Sequence, residues 1–208
     1  MTCPPPPAAQ PTVTPTAMPT VSTKEERRRE LLARVTLLDP QDRHEAAAEA
    51  ARRVVRLREW RSAQTVLLFL AMSDELDTTP LAMAAWQAGK TVCVPRIAGR
   101  RMELVTLASL SDRLTPAPGL PRVMQPTTGR TVQAATLDFA LVPGVGFTRA
   151  GDRLGRGGGY YDRLLARPDL IAATCGYTYD VQLVADLPTE PHDRSVQIVA
   201  TPDGVTRS

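Results

Sequence analysis

The sequence predicts an α/β protein, one domain built on an open, mostly parallel sheet with helices on both faces as a three-layer sandwich. Three observations carry this reading. Residues 65–71, TVLLFLA, form a short continuous apolar run, the pattern of a strand buried on both faces. A helical segment separates it from a second such run, TVCVP at 91–95, which completes a β-α-β unit. Further short apolar runs alternate with helical or glycine-rich stretches to the end of the chain, with no internal repeat.

The elements follow in order. Residues 1–22 are dominated by Pro, Thr and Ala, with Pro4, Pro5, Pro6 and Pro7 in a row. That composition buries too little apolar surface to offset ordering, so it reads as a disordered or polyproline-like tail, and the domain is placed at 23–208. Thr23 with Glu26 three residues on is a capping-box pattern that opens a basic helix running to about residue 38. Asp39 and Pro40 start a second helix, in which Ala47, Ala50, Val54 and Leu57 recur at helical spacing and face the core. After the strand at 65–71 comes the polar loop MSDELDT, then a helix from Thr78 or Thr79 with Pro80 to a stop at Gly89. Beyond the strand at 91–95, a further strand is expected at 102–107 and an irregular, proline- and threonine-rich excursion at 114–129. A strand at 137–142 feeds a glycine-dense loop. A short helix at 161–166 stopped by Pro168, a strand at 171–176, a short helix near 181–185 and a last strand at 196–200 complete the chain. MSDELDT and the glycine loop both leave the carboxyl end of a strand, so both are expected at one cleft.

At 208 residues, 43% hydrophobic and 23% charged, the composition is that of a soluble globular protein. A net charge of +3 with only 4% aromatics lacks the basic-plus-stacking signature of a nucleic-acid binder and suits an anionic small molecule. Cys3, Cys93 and Cys175 are odd in number and scattered, which predicts reduced thiols rather than a disulfide framework. No zinc spacing, membrane-length apolar run or signal core is present, so a cytoplasmic monomer without a membrane partner is expected.

The chemistry is concentrated at 141–165, LVPGVGFTRAGDRLGRGGGYYDRLL, which holds seven of the chain's 13 glycines. Glycine lets successive N–H groups converge on an anion without Cβ interference, and a following helix adds the positive end of its dipole. Arg149, Arg153 and Arg156 supply positive charge in the same stretch. No G-x-x-x-x-G-K-[ST] is present, and from Gly155 the third position of a dinucleotide fingerprint is Tyr160. What remains is a phosphate-compatible loop of unspecified type, or a solvated turn. Asp162, in the first helical turn, is either a complement to the helix dipole or a magnesium ligand. Glu75, flanked by Asp74 and Asp77, is either a solvated loop acid or a group that recognises a ligand's donors. Lys24 and Arg28 lie four apart on one helix face, where surface charge is the default, and His192 beside Asp193 reads as structural.

The combination of VPGVGF with G-x-R-L-G-R-G-G-G-Y-Y-D closely resembles the signature of the 5-formyltetrahydrofolate cyclo-ligases, also called 5,10-methenyltetrahydrofolate synthetases. The likeness runs from about residue 24 to 200, through Lys24 and Arg28, FLAMSDELDT, VPRI at 94–97, VMQP and LPTEPHD. It implies ATP-dependent cyclisation of 5-formyltetrahydrofolate to 5,10-methenyltetrahydrofolate through a phosphorylated formyl group, with ADP and phosphate released and magnesium required. By position it implies ATP contacts at Lys24, Arg28, Arg153, Leu154, Gly155, Arg156, Gly157, Gly158, Gly159, Tyr160 and Tyr161. It implies folate contacts at Leu70, Glu75, Arg156 and Tyr160, magnesium at Asp162 and Asp193, and catalytic roles for Arg156 and Tyr160. Thr148 stands where many members have aspartate, and Gly158 where some have lysine. The alternatives are a non-catalytic folate- or nucleotide-binding protein on the same fold, or a sugar-phosphate or CoA-processing enzyme on a related sheet.

Overall fold

An eight-stranded sheet organises residues 23–208, the part of the chain that the computed structural model describes. The tail expected at 1–22 lies outside the described residues. Helix α1 (Lys24–Thr36) opens with the predicted capping box, in which the Thr23 hydroxyl accepts from the Glu26 amide and the Glu26 carboxylate accepts from the Thr23 amide. Helix α2 (Pro40–Val54) starts with the Asp39 carboxylate accepting from the Gln41 amide at 2.8 Å, and buries Ala47, Ala50 and Val54 as its spacing required. A short helix α3 (Arg58–Ser62), not anticipated from the sequence, seats buried Trp60 edge-on against Phe139 at 5.4 Å.

Strand β1 (Thr65–Leu67), helix α4 (Thr79–Gln87) and strand β2 (Thr91–Ala98) form the expected β-α-β unit, with β1 and β2 parallel. Strand β3 (Arg101–Thr106) folds back antiparallel on β2. Strands β4 (Leu114–Ala117) and β5 (Leu120–Pro126) make a separate two-stranded ribbon. Strand β6 (Thr131–Val132) pairs with β3, and β7 (Phe139–Val142) lies parallel to β1 on its other side. Strands β8 (Gly146–Thr148) and β9 (Arg153–Leu154) form a hairpin, followed by helix α5 (Tyr160–Leu165), strand β10 (Ala173–Tyr177) and strand β11 (Leu183–Val184), which pairs with β8. Strands β12 (Ile198–Ala200) and β13 (Val205–Arg207) finish the chain.

The main sheet has the order β13-β12-β10-β7-β1-β2-β3-β6, parallel from β12 through β2 and antiparallel at both edges. Alternation divides the side chains between two cores. Val66, Leu68, Val92, Val94, Phe139 and Leu141 pack with α2 and α4, whereas Leu67, Cys93 and Ala140 pack with Leu164 of α5 on the opposite face. The apolar runs were continuous because both faces are covered, and the three layers follow. Cys93 and Cys175 are buried free thiols, and burial pushes Cys93 up to about 11.

Three expectations need correction. The excursion at 114–129 contains a regular ribbon: Pro118-Gly119 turns the chain with Gly119 at φ 74°, and an isolated two-stranded ribbon has open edges on which its prolines lose no ladder bond. The helix near 181–185 is a single 3₁₀ turn at Asp180–Gln182 followed by β11. Buried Gln182 accepts from Thr178 and donates to the Val145 carbonyl, both at 2.8 Å, which draws the segment into pairing with β8. The glycine-dense stretch is also less irregular than expected, because the β8–β9 hairpin absorbs its first half and leaves 155–159 as the loop proper.

Candidate active site

From β1 the chain moves outward to β2 on one side and later returns to β7 on the other, so the strand order reverses between β1 and β7. Open α/β sheets hold ligands outside the carboxyl ends of strands at such a point. A cleft of about 390 Å³ lies there. Phe69, Leu70, Met72 and Glu75 come to it from the segment after β1, Pro95 and Ile97 from β2, Pro143 and Gly144 from the segment after β7, and Arg153, Gly155, Arg156 and Gly158 through Asp162 from the glycine stretch. The MSDELDT loop and the glycine loop therefore meet at one cleft, as their positions after strands required. Ribbon β4–β5 closes another side with Leu120, Pro121, Arg122, Val123 and Met124. A larger hollow of about 710 Å³, walled by β11, β12 and β13, contains no residue of MSDELDT or of 155–162, whereas the smaller cleft is lined from both.

The loop after β1 is braced from beneath: Thr78 donates to the Phe69 carbonyl at 2.6 Å, and the Tyr177 hydroxyl donates to the Ala47 and Asp77 carbonyls. Its three acids are thereby sent to three tasks. Asp77 caps α4, accepting from the Thr79 amide and hydroxyl at 2.9 and 2.8 Å. Glu75 turns into the cleft, where Oε2 accepts from the Met72 amide at 3.0 Å and Oε1 from Arg156 Nε at 3.1 Å. Asp74 takes the rest of the Arg156 fork, with Nη2 2.7 Å from Oδ1 and Nη1 3.3 Å from Oδ2, and also accepts from Arg122 Nη2 at 2.9 Å. Burial alone would raise the Asp74 carboxyl, but Arg156 and Arg122 outweigh it and hold the group below its ordinary range.

The loop at 155–159 is made by backbone permissiveness. Gly157 and Gly159 have φ of 93° and 64°, values an L side chain rarely adopts, and Gly159 is the left-handed N-cap of α5. Since α5 is only six residues long, its contribution to an anion is the few free amides of its first turn rather than a long macrodipole. Arg153 lies buried at the start of the loop and donates from Nη2 to Asp162 Oδ1 at 2.5 Å, tying β9 to α5. Leu154 is buried among Leu31, Val145 and Val184, so only its backbone is available to a ligand. The Tyr160 hydroxyl donates to the Gly99 carbonyl across the rim at 2.9 Å, and its ring lies 4.9 Å beneath the Arg163 guanidinium. The Tyr161 hydroxyl is buried without a partner, and burial, with Glu75 nearby, raises it well above the ordinary range.

Lys24, Arg28 and Asp193 do not line the cleft, and of the three Arg28 reaches the loop. Arg28 Nε donates to the Gly155 carbonyl at 2.8 Å. Lys24 Nζ lies 2.7 Å from Asp193 Oδ2 and 2.8 Å from Glu190 Oε2. Burial alone would lower Lys24, yet the two carboxylates outweigh it and hold it above its ordinary value. Glu190, His192 and Asp193 bring ligand atoms within 4.8 Å of one another, and the two carboxylates are hard donors of the kind magnesium takes alongside phosphate oxygens and water. Asp162 belongs to a different ion pair, with the buried Arg153, and engages it through Oδ1.

Residues 20–202 match the model of the 5-formyltetrahydrofolate cyclo-ligase family. The chain belongs to that family. It is 32% identical over 171 residues to the Escherichia coli K12 5-formyltetrahydrofolate cyclo-ligase, an alignment covering 81% of this chain and 94% of the relative. The mouse 5-formyltetrahydrofolate cyclo-ligase is 28% identical over 88% of this chain and 95% of its own. The solved structure of Aquifex aeolicus 5,10-methenyltetrahydrofolate synthetase superposes with a TM-score of 0.78 at 30% identity, covering 88% of this chain and 92% of that one. Within this cyclo-ligase framework, Thr148 closes its turn by donating to Asp152 Oδ2 at 3.0 Å and accepting from the Asp152 amide at 3.1 Å, so the absence of an aspartate leaves no unmade bond. Sequence reading missed Asp74 and Arg122 as part of the site, together with the apolar wall of β5. The Pro-Gly turn was the signal for the ribbon, and the bonding of Arg122 to Asp74 had none.

Proposed function

We propose that this chain catalyses the ATP-dependent cyclisation of 5-formyltetrahydrofolate to 5,10-methenyltetrahydrofolate, releasing ADP and phosphate. The observation that carries the reading is the meeting of two subsites at one wall: Arg156 of the glycine loop lies 3.1 Å from Glu75 of the apolar cleft. The cleft is mostly apolar with a few converging polar groups, as a bound ring system requires. Glu75 accepts hydrogen bonds from the pterin, and Leu70 packs against it. Lys24, Arg28 and the backbone from Arg153 and Leu154 through Gly155, Gly157, Gly158 and Gly159 to Tyr160 and Tyr161 receive the nucleotide, with Arg156 and Tyr160 at the reacting groups.

A formyl oxygen is a weak nucleophile, and the oxide it would leave behind is a poor leaving group. Attack of that oxygen on the γ-phosphate expels ADP and turns the oxygen into a phosphate ester. N10 then adds to the formyl carbon, its proton passes to solvent, and the N5 lone pair expels phosphate to give the methenyl bridge. Phosphoryl transfer needs positioning and charge neutralisation more than covalent help from the protein. Arg156 and the loop amides supply both. Magnesium would be held by Asp193 and Glu190, whose ligand atoms converge, and would neutralise phosphate oxygens, while Asp162 keeps one oxygen outside its pair with Arg153 for a ligand. The deciding experiment follows the near-ultraviolet absorbance of the methenyl product from 5-formyltetrahydrofolate with and without MgATP. A rise only with MgATP is expected, and a flat trace in both removes the assignment.

A further inference from the structure

The cyclo-ligase reading leaves Asp74 without a task. It does not line the cleft, yet it bonds two arginines that do, from two different elements: Arg156 of the glycine loop through Oδ1 at 2.7 Å and Arg122 of ribbon β5 through Oδ2 at 2.9 Å. Its side chain is 14% exposed, against 61% for Arg122 and 29% for Arg156, so the carboxylate is the fixed member of the trio. Arg156 is at the same time bonded to Glu75. Glu75 must release that bond when its oxygen turns to a donor on the bound ring. A guanidinium held by Glu75 alone would then be free to swing into solvent, whereas one held through both Nη atoms by Asp74 keeps its place and presents Nε to the cleft.

We propose that Asp74 is a positioning residue: it fixes Arg156 when Glu75 turns to the folate, and through Arg122 it draws the β4–β5 ribbon over the same cleft. The inference rests on the cyclo-ligase reading for the identity of the ligand. One carboxylate serves both arginines because Oδ2 is shared, accepting from Arg122 Nη2 at 2.9 Å and Arg156 Nη1 at 3.3 Å, while Oδ1 holds Arg156 Nη2, so the loop and the ribbon close on the substrate together. The lowered carboxyl of Asp74 keeps this clasp charged throughout the neutral range.

The test compares wild type with Asp74→Asn, Asp74→Glu and Arg122→Gln, by initial rates and by calorimetric titration with 5-formyltetrahydrofolate in the absence of ATP. Asp74→Asn is expected to raise the folate Kd and KM about tenfold, the worth of one charged hydrogen bond, and to move the ATP KM less, because Lys24, Arg28 and the loop amides hold the nucleotide beside Arg156. Asp74→Glu should recover part of the loss, and Arg122→Gln added to Asp74→Asn should cost less than the two separate effects combined. Folate Kd and KM within about twofold of wild type in Asp74→Asn would overturn the proposal. Equal losses for both substrates without rescue by glutamate would overturn it too, since that is what general loosening of the fold produces. A wild type that binds folate but forms no methenyl product would sink the catalytic reading instead, and the Kd comparison would still decide the role of Asp74.

Discussion

Arg156 is the side chain on which the two subsites depend, because every nitrogen of its fork is engaged by an acid of the loop after β1. Lysine keeps the charge but offers a single point where the fork spans Asp74 and Glu75. Arg156→Lys is therefore expected to lose about a hundredfold in kcat, close to Arg156→Ala, as read from methenyl absorbance at saturating substrates. Near-normal turnover in either variant would mean that the charge is supplied elsewhere. The acid pairs also carry a pH signature. Asp74 and Asp193 are held below their ordinary value of 3.8, so their contribution to stability is complete above that value and is lost as pH falls through the lowered one. Lys24 is held above 10.5, so its contribution is complete below that and lost only as pH rises beyond it. Stability should accordingly begin to fall as pH drops below the ordinary carboxylate value, and Asp74→Asn combined with Asp193→Asn should flatten that acid limb. An unchanged limb would show that these carboxylates titrate alike in the folded and unfolded chain.

Ribbon β4–β5 supplies one wall of the cleft, and it is anchored to the sheet at a buried point where Gln125 Oε1 accepts from the Ile97 amide at 2.7 Å. Truncating Gln125 leaves that amide without a partner, a cost of about 1–3 kcal/mol. The cost falls on the seating of the ribbon, so Gln125→Ala should raise the folate KM several-fold and speed amide hydrogen exchange across β5, while ATP affinity holds. Exchange unchanged across β5 would place the anchor elsewhere. This element also marks the limit of what the sequence made legible. The β-α-β unit could be read because strands covered on both faces have continuous apolar runs, and α1 and α2 because their caps are local side-chain chemistry. Ribbon β4–β5 was hidden because Pro116, Pro121 and Pro126 argue against a strand unless its edges are known to be open. Among the acids of MSDELDT, Glu75 could be singled out, but Asp74 and Asp77 flank it alike in sequence. Only the placement of Arg122 and the start of α4 separates their tasks.

At the scale of the whole molecule, the reversal of strand order between β1 and β7 sets an acidic loop opposite a glycine loop, and it makes the two substrates of the proposed reaction depend on each other. Glu75 and Arg156 neutralise one another across the cleft, so each subsite withholds a group that the other ligand needs. A folate that satisfies Glu75 frees Arg156 Nε for a phosphate oxygen, and a nucleotide that takes Arg156 Nε, its Nη atoms staying on Asp74, frees Glu75 for the pterin. Coupling of this kind is reciprocal, and a value of about 1–3 kcal/mol is usual. Thermal melts with 5-formyltetrahydrofolate, with a non-hydrolysable ATP analogue plus magnesium, and with both should therefore give a joint shift larger than the sum of the separate ones. The excess should be about 2–4 °C for each kcal/mol of coupling in a domain of this size. Glu75→Gln weakens the mutual neutralisation and should bring the joint shift back toward additivity. Additive shifts in the wild type would mean that the ion pair between the loops survives ligand binding and that the substrates enter independently.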